Sequence, residues 1–258
     1  MTEIRYALLD PTGNITVLVE TPVPVGLQPG VAAKIMEREP DAEQVGFLSP
    51  SEGGVAMRMA GGEFCGNAAM SAAALYALDR GMAEGVVPVF VAGTPEPVRV
   101  DVSALPEGGV RGVVTMPSPI SVQDETFPEG ARHPVVRFPG ICHVILEDPM
   151  ERAEAERLAP VWCRHLASEC VGLMLLDRGS SALTPLVYVP SAGTLCWENS
   201  CASGTAAVGA YLAARGNPVS LSLREPGGSL HIAADRDGGL RLTGTMRLRH
   251  RDSLRLPL

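Results

Sequence analysis

The chain has 258 residues, 46% of them hydrophobic, with 21 basic and 29 acidic residues and a formal net charge of −8. This length and composition predict a globular protein with one large or two modest domains. The acidic balance argues against a nucleic-acid or anionic-membrane partner, because such surfaces need a basic stripe that releases counterions. The one basic stretch, Arg247 to Arg255, is typical of a solvated terminal strand.

The N-terminus, MTEIRYALLD, has no basic region followed by an apolar core, and no apolar run approaches the roughly 20 residues that cross a bilayer. We therefore expect a soluble, cytoplasmic protein. The six cysteines of such a chain are expected to be reduced thiols rather than a disulfide framework. Lys34 is the only lysine and lies in the amphipathic stretch VAAKIMERE, so a pyridoxal phosphate Schiff base is not expected.

The first half opens with the strand-like runs IRYALLD and ITVLVE, joined by the turn PTGN. The helical stretch VAAKIMERE and a short strand, Glu43 to Phe47, follow. A second helical stretch, FCGNAAMSAAALYALDRG, begins at Cys65 and ends at an Arg-Gly pair that is typical of a C-terminal cap. Its small residues lie on every side, which suits a helix enclosed by strands.

The same order of elements returns in the second half. Three pairs of segments correspond: Gly13–Glu20 with Gly140–Glu147, Glu43–Phe47 with Glu169–Leu173, and the helix at Cys65 with the helix SCASGTAAVGAYLAARG at Cys201. Three matches in one order indicate an internal duplication.

Residues 117–136 between the halves are rich in proline and charge, and we interpret them as a linker. The last segments, LSLREP, LHIAADRDGG and LRLTGTMRLR, are interpreted as hairpin strands that close the second half or cross back to the first. The predicted domains are an N-terminal lobe of residues 1–120 and a C-terminal lobe of residues 121–258.

Cys65 and Cys201 each open a helix, where the positive end of the helix dipole and the backbone N–H groups lower a thiol pKa. Inverting an α-carbon requires proton removal on one face and proton return on the other, so two groups of similar pKa must flank the substrate. Helix N-termini aimed at a carboxylate would stabilise the developing enolate-like charge. Free cysteines often only pack, but two cysteines in equivalent places favour an acid/base pair.

Around these cysteines the sequence resembles the diaminopimelate epimerase-like superfamily, which includes proline racemases and phenazine-biosynthesis isomerases. Gly61–Asn67 is similar to its first cysteine motif, Ser200–Thr205 to its second, and Pro11–Asn14 to its early Gly-Asn turn. The resemblance covers nearly the whole chain. It implies an α/β (α+β) fold of two pseudo-symmetric lobes, each a β-barrel-like sheet wrapped around a central helix, with the active site in the cleft between the lobes.

The resemblance also implies which residues act. The catalytic pair is Cys65 and Cys201, neither metal nor organic cofactor is needed, and a homodimer is compatible with such folds. The substrate-binding residues follow from the motifs and from two carboxylates close to them: Asn14, Glu43, Gly66, Asn67, Glu198, Ser203, Gly204 and Thr205.

The chain departs from true diaminopimelate epimerases where those enzymes hold the distal end of their substrate. Their Gly-Asn-Pro-His turn is Gly140–His143 here, their Asn-Val-Glu segment is Cys170–Gly172, and their Glu-Arg pair is Val189-Pro190. Without the arginine that pairs with a distal carboxylate, diaminopimelate is disfavoured. Glu43 and Glu198 instead suit a donor group such as an imidazole. In this the chain is most similar to the histidine racemases that supply D-histidine to staphylopine-type opine metallophores.

Several alternatives stay open. Among enzymes they are a diaminopimelate epimerase with a rearranged pocket and a racemase of another amino acid; a phenazine-type isomerase is disfavoured because both cysteines are present. Among other classes they are a non-catalytic amino-acid-binding protein and a metal-binding protein. The metal ligands would be Cys163, His165 and Cys170 with Cys142 or His143, a spacing that fits no standard zinc pattern. Glu43 has the further alternative of a solvated loop charge.

Overall fold

The computed structural model describes residues 1–62, 64–92, 96–191 and 193–257. The chain divides into two compact units, Met1–Thr115 with Thr243–Leu258, and Met116–Leu242. The predicted lobes, residues 1–120 and 121–258, differ from these units in the C-terminal segment. The last strand leaves the second unit and joins the first, which is the crossing that the sequence left open.

The first unit is a closed barrel around one helix. Its described elements are β1 (Thr2–Pro11), β2 (Thr16–Val19), α1 (Gln28–Arg38), β3 (Gln44–Ser51), β4 (Gly54–Met59), α2 (Gly66–Asp79), β5 (Glu84–Val91), β6 (Val98–Ala104), β7 (Val110–Met116) and most of β16 (Leu240–Leu256), with a 3-10 turn at Val25–Leu27. The strand order is β1-β2-β3-β4-β5-β6-β7-β16, and β16 also pairs with β1, which closes the ring.

Helix α2 lies inside this barrel. It contacts β1, β2, β4, β5 and β6, and every residue from Gly66 to Leu75 is buried. Alanine and glycine allow this close approach on all sides, because a helix that is apolar all round must be enclosed. The prediction of a helix wrapped by strands is confirmed.

The second unit also wraps its sheet around one helix. Its described elements are β8 (Ser121–Thr126), β9 (Arg132–Phe138), β10 (Ile141–Leu146), α3 (Arg152–His165), β11 (Cys170–Asp177), β12 (Ala182–Val189), β13 (Thr194–Trp197), α4 (Ala202–Ala214), β14 (Val219–Glu225), β15 (Gly228–Ala234) and the first residues of β16. The strand order is β16-β15-β14-β12-β11-β10-β9-β8, and β13 pairs with β12. Helix α4 contacts β8, β9, β10, β11, β14 and β15, so it too is enclosed. In the described part of the chain no helix is both long and apolar enough to cross a membrane.

The pairing pattern confirms the internal duplication. Strands β2 and β3 are parallel, as are β10 and β11. The following pairs β3–β4 and β11–β12 are antiparallel, and β4–β5 and β12–β14 are again parallel. Helix α1 lies between β2 and β3 as α3 lies between β10 and β11, and α2 precedes β5 as α4 precedes β14.

The turns that precede β2 and β10 differ in length. The first spans residues 12–15, whereas the second spans only residues 139–140. As a result, Leu18 lies opposite the glycine of the Val-Gly strand in the first unit, and His143 lies opposite it in the second. The predicted residue-by-residue alignment of the two openings is therefore wrong by two positions within these strands.

The predicted linker, residues 117–136, is instead largely structured. It contains β8 and the start of β9, which form an antiparallel hairpin. Phe127, between these strands, is 2% exposed and packs on Trp162 with a centroid distance of 4.3 Å. Of the charged residues that suggested a linker, Asp124 and Glu125 lie on β8, a terminal strand of the sheet order, where charge is well tolerated.

The C-terminal strand is charged because its arginines pair across the surface of the first unit. Arg249 binds Asp10 with a nitrogen–oxygen distance of 2.8 Å, and Arg251 contacts Asp79 and Glu20. These arginines are partly exposed, which agrees with the predicted solvated strand.

Close packing around Gly172 leads to a stability prediction. A Cβ at this position would lie 2.3 Å from Nδ1 of His143, whose ring is fully buried and has little room to move. Gly172→Ala is expected to lower the free energy of unfolding by about 1–3 kcal/mol in urea denaturation. Gly30→Ala is the matched control: a Cβ there meets nothing within 4 Å, and this helical glycine should gain about 0.5–1 kcal/mol on substitution. Equal stability of Gly172→Ala and the parent would contradict the packing described.

Candidate active site

Cys65 is the N-cap of α2. Its backbone is extended, with φ −131° and ψ 116°, and its Sγ accepts a hydrogen bond from the N–H of Ala68 at 3.4 Å. The thiol is partly exposed. The predicted neighbours Gly66 and Asn67 form the first turn of the helix and are buried, with Asn67 2% exposed. Cys65 therefore stands at the positive end of an enclosed helix.

Asn14 lies in a side-chain network just before β2. Its Nδ2 donates to the Glu43 carboxylate, and its Oδ1 accepts from Nε2 of Gln44 at 2.5 Å. Gln44 also donates to Oγ1 of Thr16 at 2.8 Å, and the Glu43 N–H donates to the Ile15 carbonyl at 2.8 Å. Asn14 is 4% exposed, so both ends of its amide are fixed in a buried setting. Glu43 is thus a bound carboxylate, not a solvated loop charge.

This Asn14–Glu43 network lies at the edge of the barrel from which the chain continues to Cys65. Strands β2 and β3 are parallel and begin at Thr16 and Gln44, which are paired. Strand β4 runs antiparallel to β3 and ends at this same edge, where the Ala60 N–H donates to the Val45 carbonyl at 3.0 Å. From there the chain continues through Ala60 to Cys65. Glu63 in this segment lies outside the described residues. The sheet thus brings three predicted site residues, Asn14, Glu43 and Cys65, to one end of the first unit.

Cys201 is the N-cap of α4 in the same geometry. Its φ is −125° and its ψ 102°, and Sγ accepts from the N–H of Gly204 at 3.4 Å. The Oγ of Ser203 lies 3.6 Å from the sulfur. A Cβ on Gly204 would lie 2.2 Å from Sδ of Met174 and 3.2 Å from the thiol, so a larger residue in this turn would require the buried Met174 side chain to shift. Cys201 is 4% exposed and more deeply buried than Cys65.

Two carboxylates surround the Cys201 thiol. The side chain of Glu198 forms a hydrogen bond with it, and Glu225 lies close by. Burial, followed by the negative charges of Glu198 and Glu225, raises the pKa of the Cys201 thiol well above its usual value. The expectation that the helix start lowers the thiol pKa is therefore wrong for Cys201, because desolvation and two nearby carboxylates outweigh the helix dipole.

Glu225 is the site residue that sequence reasoning missed. Its Oε2 accepts from the backbone N–H of Cys201 at 2.6 Å, and its Oε1 accepts from Oγ1 of Thr205 at 2.5 Å. Glu225 is the last residue of β14, on the face that buries Leu223. The signal available in the sequence was a glutamate at an inward-facing position of a strand whose side chains alternate between the two faces of the sheet. Thr205, a predicted site residue, therefore donates a hydrogen bond to this carboxylate. Its side chain is fully buried.

The proposed metal ligands are not brought together. Sγ of Cys142 accepts from Arg137 at 3.4 Å, and Sγ of Cys163 donates to the Ser168 carbonyl at 3.2 Å, so both thiols have partners in the core. His143 is fully buried, and this burial lowers its pKa to about 3, which keeps the imidazole neutral. Over the described ranges, no three His, Cys, Asp or Glu side chains gather as a metal site would require.

Solved structures share this fold along nearly the whole chain. A predicted epimerase from Pseudomonas aeruginosa superposes with a TM-score of 0.76 at 17% identity, covering 98% of this chain and 100% of that one. A probable proline racemase from Agrobacterium radiobacter K84 has a TM-score of 0.71 at 15% identity, covering 98% and 93%. The predicted fold class, two similar α+β lobes with central helices, is confirmed.

A sequence relative agrees with this fold. A histidine racemase of Fusobacterium nucleatum is 32% identical over 244 residues, which are 91% of this chain and 90% of the relative. Together with the barrel fold and its cysteine-capped helices, this similarity defines an amino-acid racemase, and hence an isomerase. Residues 3–245 match the family described as the histidine racemase CntK N-terminal domain, and the chain belongs to that family.

Proposed function

We propose that the protein inverts the α-carbon of histidine without a cofactor, using Cys65 and Cys201 as an acid/base pair on opposite faces of the substrate. The observation that carries this proposal is the equivalence of the two thiols. Each caps the enclosed helix of its own unit, and each sulfur accepts the N–H three residues on at 3.4 Å. Two topologically equivalent thiols are the chemistry that a two-base racemase needs.

The proposed reaction moves one proton at a time. A thiolate removes the α-proton, and the electron pair of the C–H bond is delocalised into the substrate carboxylate. The opposite thiol then gives its proton to the other face of the α-carbon and becomes the thiolate. The helix N-termini stabilise the intermediate negative charge. The enzyme ends with its proton on the other cysteine, ready for the reverse direction.

The choice of histidine rests on the family and on two acidic side chains. Relatives described as histidine racemases align with 91% and 90% of the chain. Glu43 is held by Asn14, and Glu198 is hydrogen-bonded to Cys201. Carboxylates of this kind could accept a hydrogen bond from an imidazole N–H or from an α-ammonium group. Supply of D-histidine to a staphylopine-type metallophore, in the cytoplasm, is the biological setting that we propose.

The surface position of Lys34 supports catalysis without pyridoxal phosphate. Lys34 is the only lysine of the chain. Its Nζ pairs with Glu37 at 2.8 Å on the surface of α1, and its side chain is 56% exposed. A Schiff-base lysine would need to be enclosed with its cofactor.

The test is a screen of L-amino acids and diaminopimelate for racemisation or epimerisation by the protein, purified and dialysed without added cofactor. We expect histidine to be converted with the highest kcat/KM, and the D-enantiomer to be detected by chiral chromatography. A higher kcat/KM for diaminopimelate or another amino acid would overturn the substrate assignment. Absence of turnover with every compound would favour the amino-acid-binding alternative.

A further inference from the structure

A buried carboxylate, Glu225, holds the first turn of α4. It accepts from Cys201 N–H at the N-cap and from the hydroxyl of Thr205 one helical turn later. The same turn is closed by the Thr205 N–H, which donates to the Cys201 carbonyl at 2.8 Å. Both carboxylate oxygens are therefore committed to the residues that present the catalytic thiol.

The position of Glu225 is itself well fixed. It ends β14, where the preceding residue Arg224 pairs with Ala182 of β12, and it pairs with Gly228 across the hairpin to β15. The turn after it is tied down because the Gly227 N–H donates to the Asn199 carbonyl at 2.7 Å. A carboxylate on such a rigid element can orient a helix start.

An uncharged residue of the same size would fill this space without the cost of burying a carboxylate. Burial raises the pKa of Glu225 to about 8, against the opposing effect of its two hydrogen bonds. What the carboxyl group adds is two fixed oxygens beside Cys201 and, above a pH of about 8, a negative charge. This combination is suited to orienting a thiol and keeping its proton on.

We propose that Glu225 is a positioning residue for Cys201: its carboxyl group fixes the first turn of α4 and holds the Cys201 thiol in its protonated form. This inference rests on the proposed acid/base role of Cys201. Cys201 then enters the cycle as the proton donor, and the partner thiolate acts first as the base.

The order of the two titrations supports this role. The pKa of Glu225 lies at about 8, and that of Cys201 well above the usual thiol value. Glu225 therefore loses its proton first, and Cys201 must ionise next to a carboxylate. Besides the thiol, Glu198 is a charged group that acts on Glu225. Its negative charge also raises the pKa of Glu225. Thr205, which donates to Glu225, and Gly228, which pairs with it, carry no charge.

The experiment is a thiolate titration of Cys201 by ultraviolet absorbance, in the absence of substrate. For each protein, the Cys201 signal is its absorbance minus the absorbance of the same protein carrying Cys201→Ser. The method uses no thiol reagent, so access of a reagent to the buried thiol does not matter. Glu225→Gln keeps the shape and removes the charge: its amide oxygen can accept from the Cys201 N–H, and its NH2 group can donate to Oγ1 of Thr205. We expect the midpoint of the Cys201 titration to fall by about one pH unit in this variant. Below the midpoint, the thiolate fraction is then roughly tenfold larger. An unchanged midpoint would overturn the inference.

A second variant tests the orienting role and covers a failure of Glu225→Gln to fold. Glu225→Asp keeps the charge but withdraws it by one methylene, out of reach of at least one hydrogen-bond partner. We expect its Cys201 midpoint to stay close to that of the parent while kcat falls by about tenfold. Parental turnover in a folded Glu225→Asp would overturn the orienting role.

Glu129→Gln is the matched control. Glu129 lies in the same unit and accepts from Nε1 of Trp162 at 2.6 Å, and it is not among the groups that shift Cys201. Its Cys201 midpoint should equal that of the parent, and a shift as large as that of Glu225→Gln would also overturn the inference. Failure of the proposed function would give a different result: the Cys201→Ser variant would racemise histidine at the parental rate.

Discussion

Cys65→Ser and Cys201→Ser are each expected to lower kcat for histidine racemisation by about 10²- to 10⁴-fold. A serine hydroxyl ionises far above a thiol, so it neither takes nor delivers the α-proton at a useful rate. The fold should not suffer, because serine is a preferred N-cap residue and both positions are N-caps. Chiral chromatography gives the rate, and thermal unfolding verifies that both variants are folded.

Cys196→Ser is the control for this pair, because Cys196 is an exposed thiol on β13. It should racemise histidine at the parental rate. The double variant should be about as slow as the slower single variant, since the two cysteines act as a unit and their effects do not add. Parental rates in either single variant would contradict the two-base mechanism.

Asn14→Ala is expected to lower kcat/KM for histidine by about 10- to 100-fold. The substitution removes the amide donor to Glu43 and one of the two acceptors of Gln44. Losing these hydrogen bonds is expected to loosen the hold on the Glu43 carboxylate and to cost about 1–3 kcal/mol of substrate binding, and about 1.4 kcal/mol corresponds to tenfold in rate. Steady-state kinetics with L- and D-histidine measure the loss, which we expect to be equal in both directions.

Asn217→Ala is the corresponding control. Asn217 is an exposed asparagine that accepts from Arg236 at 2.9 Å, so its loss removes one surface hydrogen bond. It should leave kcat/KM unchanged. If Asn14→Ala were as active as Asn217→Ala, the assignment of Asn14 and Glu43 to the substrate site would be wrong.

The fold could be predicted from the sequence because its signals are local and repeated. The small residues around Cys65 and Cys201 indicated enclosed helices, and the ordered matches between the halves indicated duplicated lobes. The candidate site residues in the cysteine motifs were proposed for the same reason. Asn14 and Glu43, far apart in the sequence, were named separately, and only the pairing of β2 with β3 shows that they share a hydrogen bond.

The remaining features depend on tertiary structure. Glu225 lies 24 residues beyond Cys201, and its contact arises because β14 returns to the start of α4. The raised pKa of Cys201 depends on burial, which a helix start alone does not reveal. The hairpin of β8 and β9 was taken for a linker because an exposed edge strand has the composition of a loop.

The central claim is that two groups share the proton transfer, and the most direct measurement is racemisation of L-histidine in deuterium oxide at low conversion. We predict that the D-histidine formed carries deuterium at the α-carbon, because its new α-hydrogen comes from the second thiol, which has exchanged with the solvent. The unreacted L-histidine should remain unlabelled at early times. D-histidine that retains the original α-proton would show that a single group moves the proton between faces, and would contradict the account.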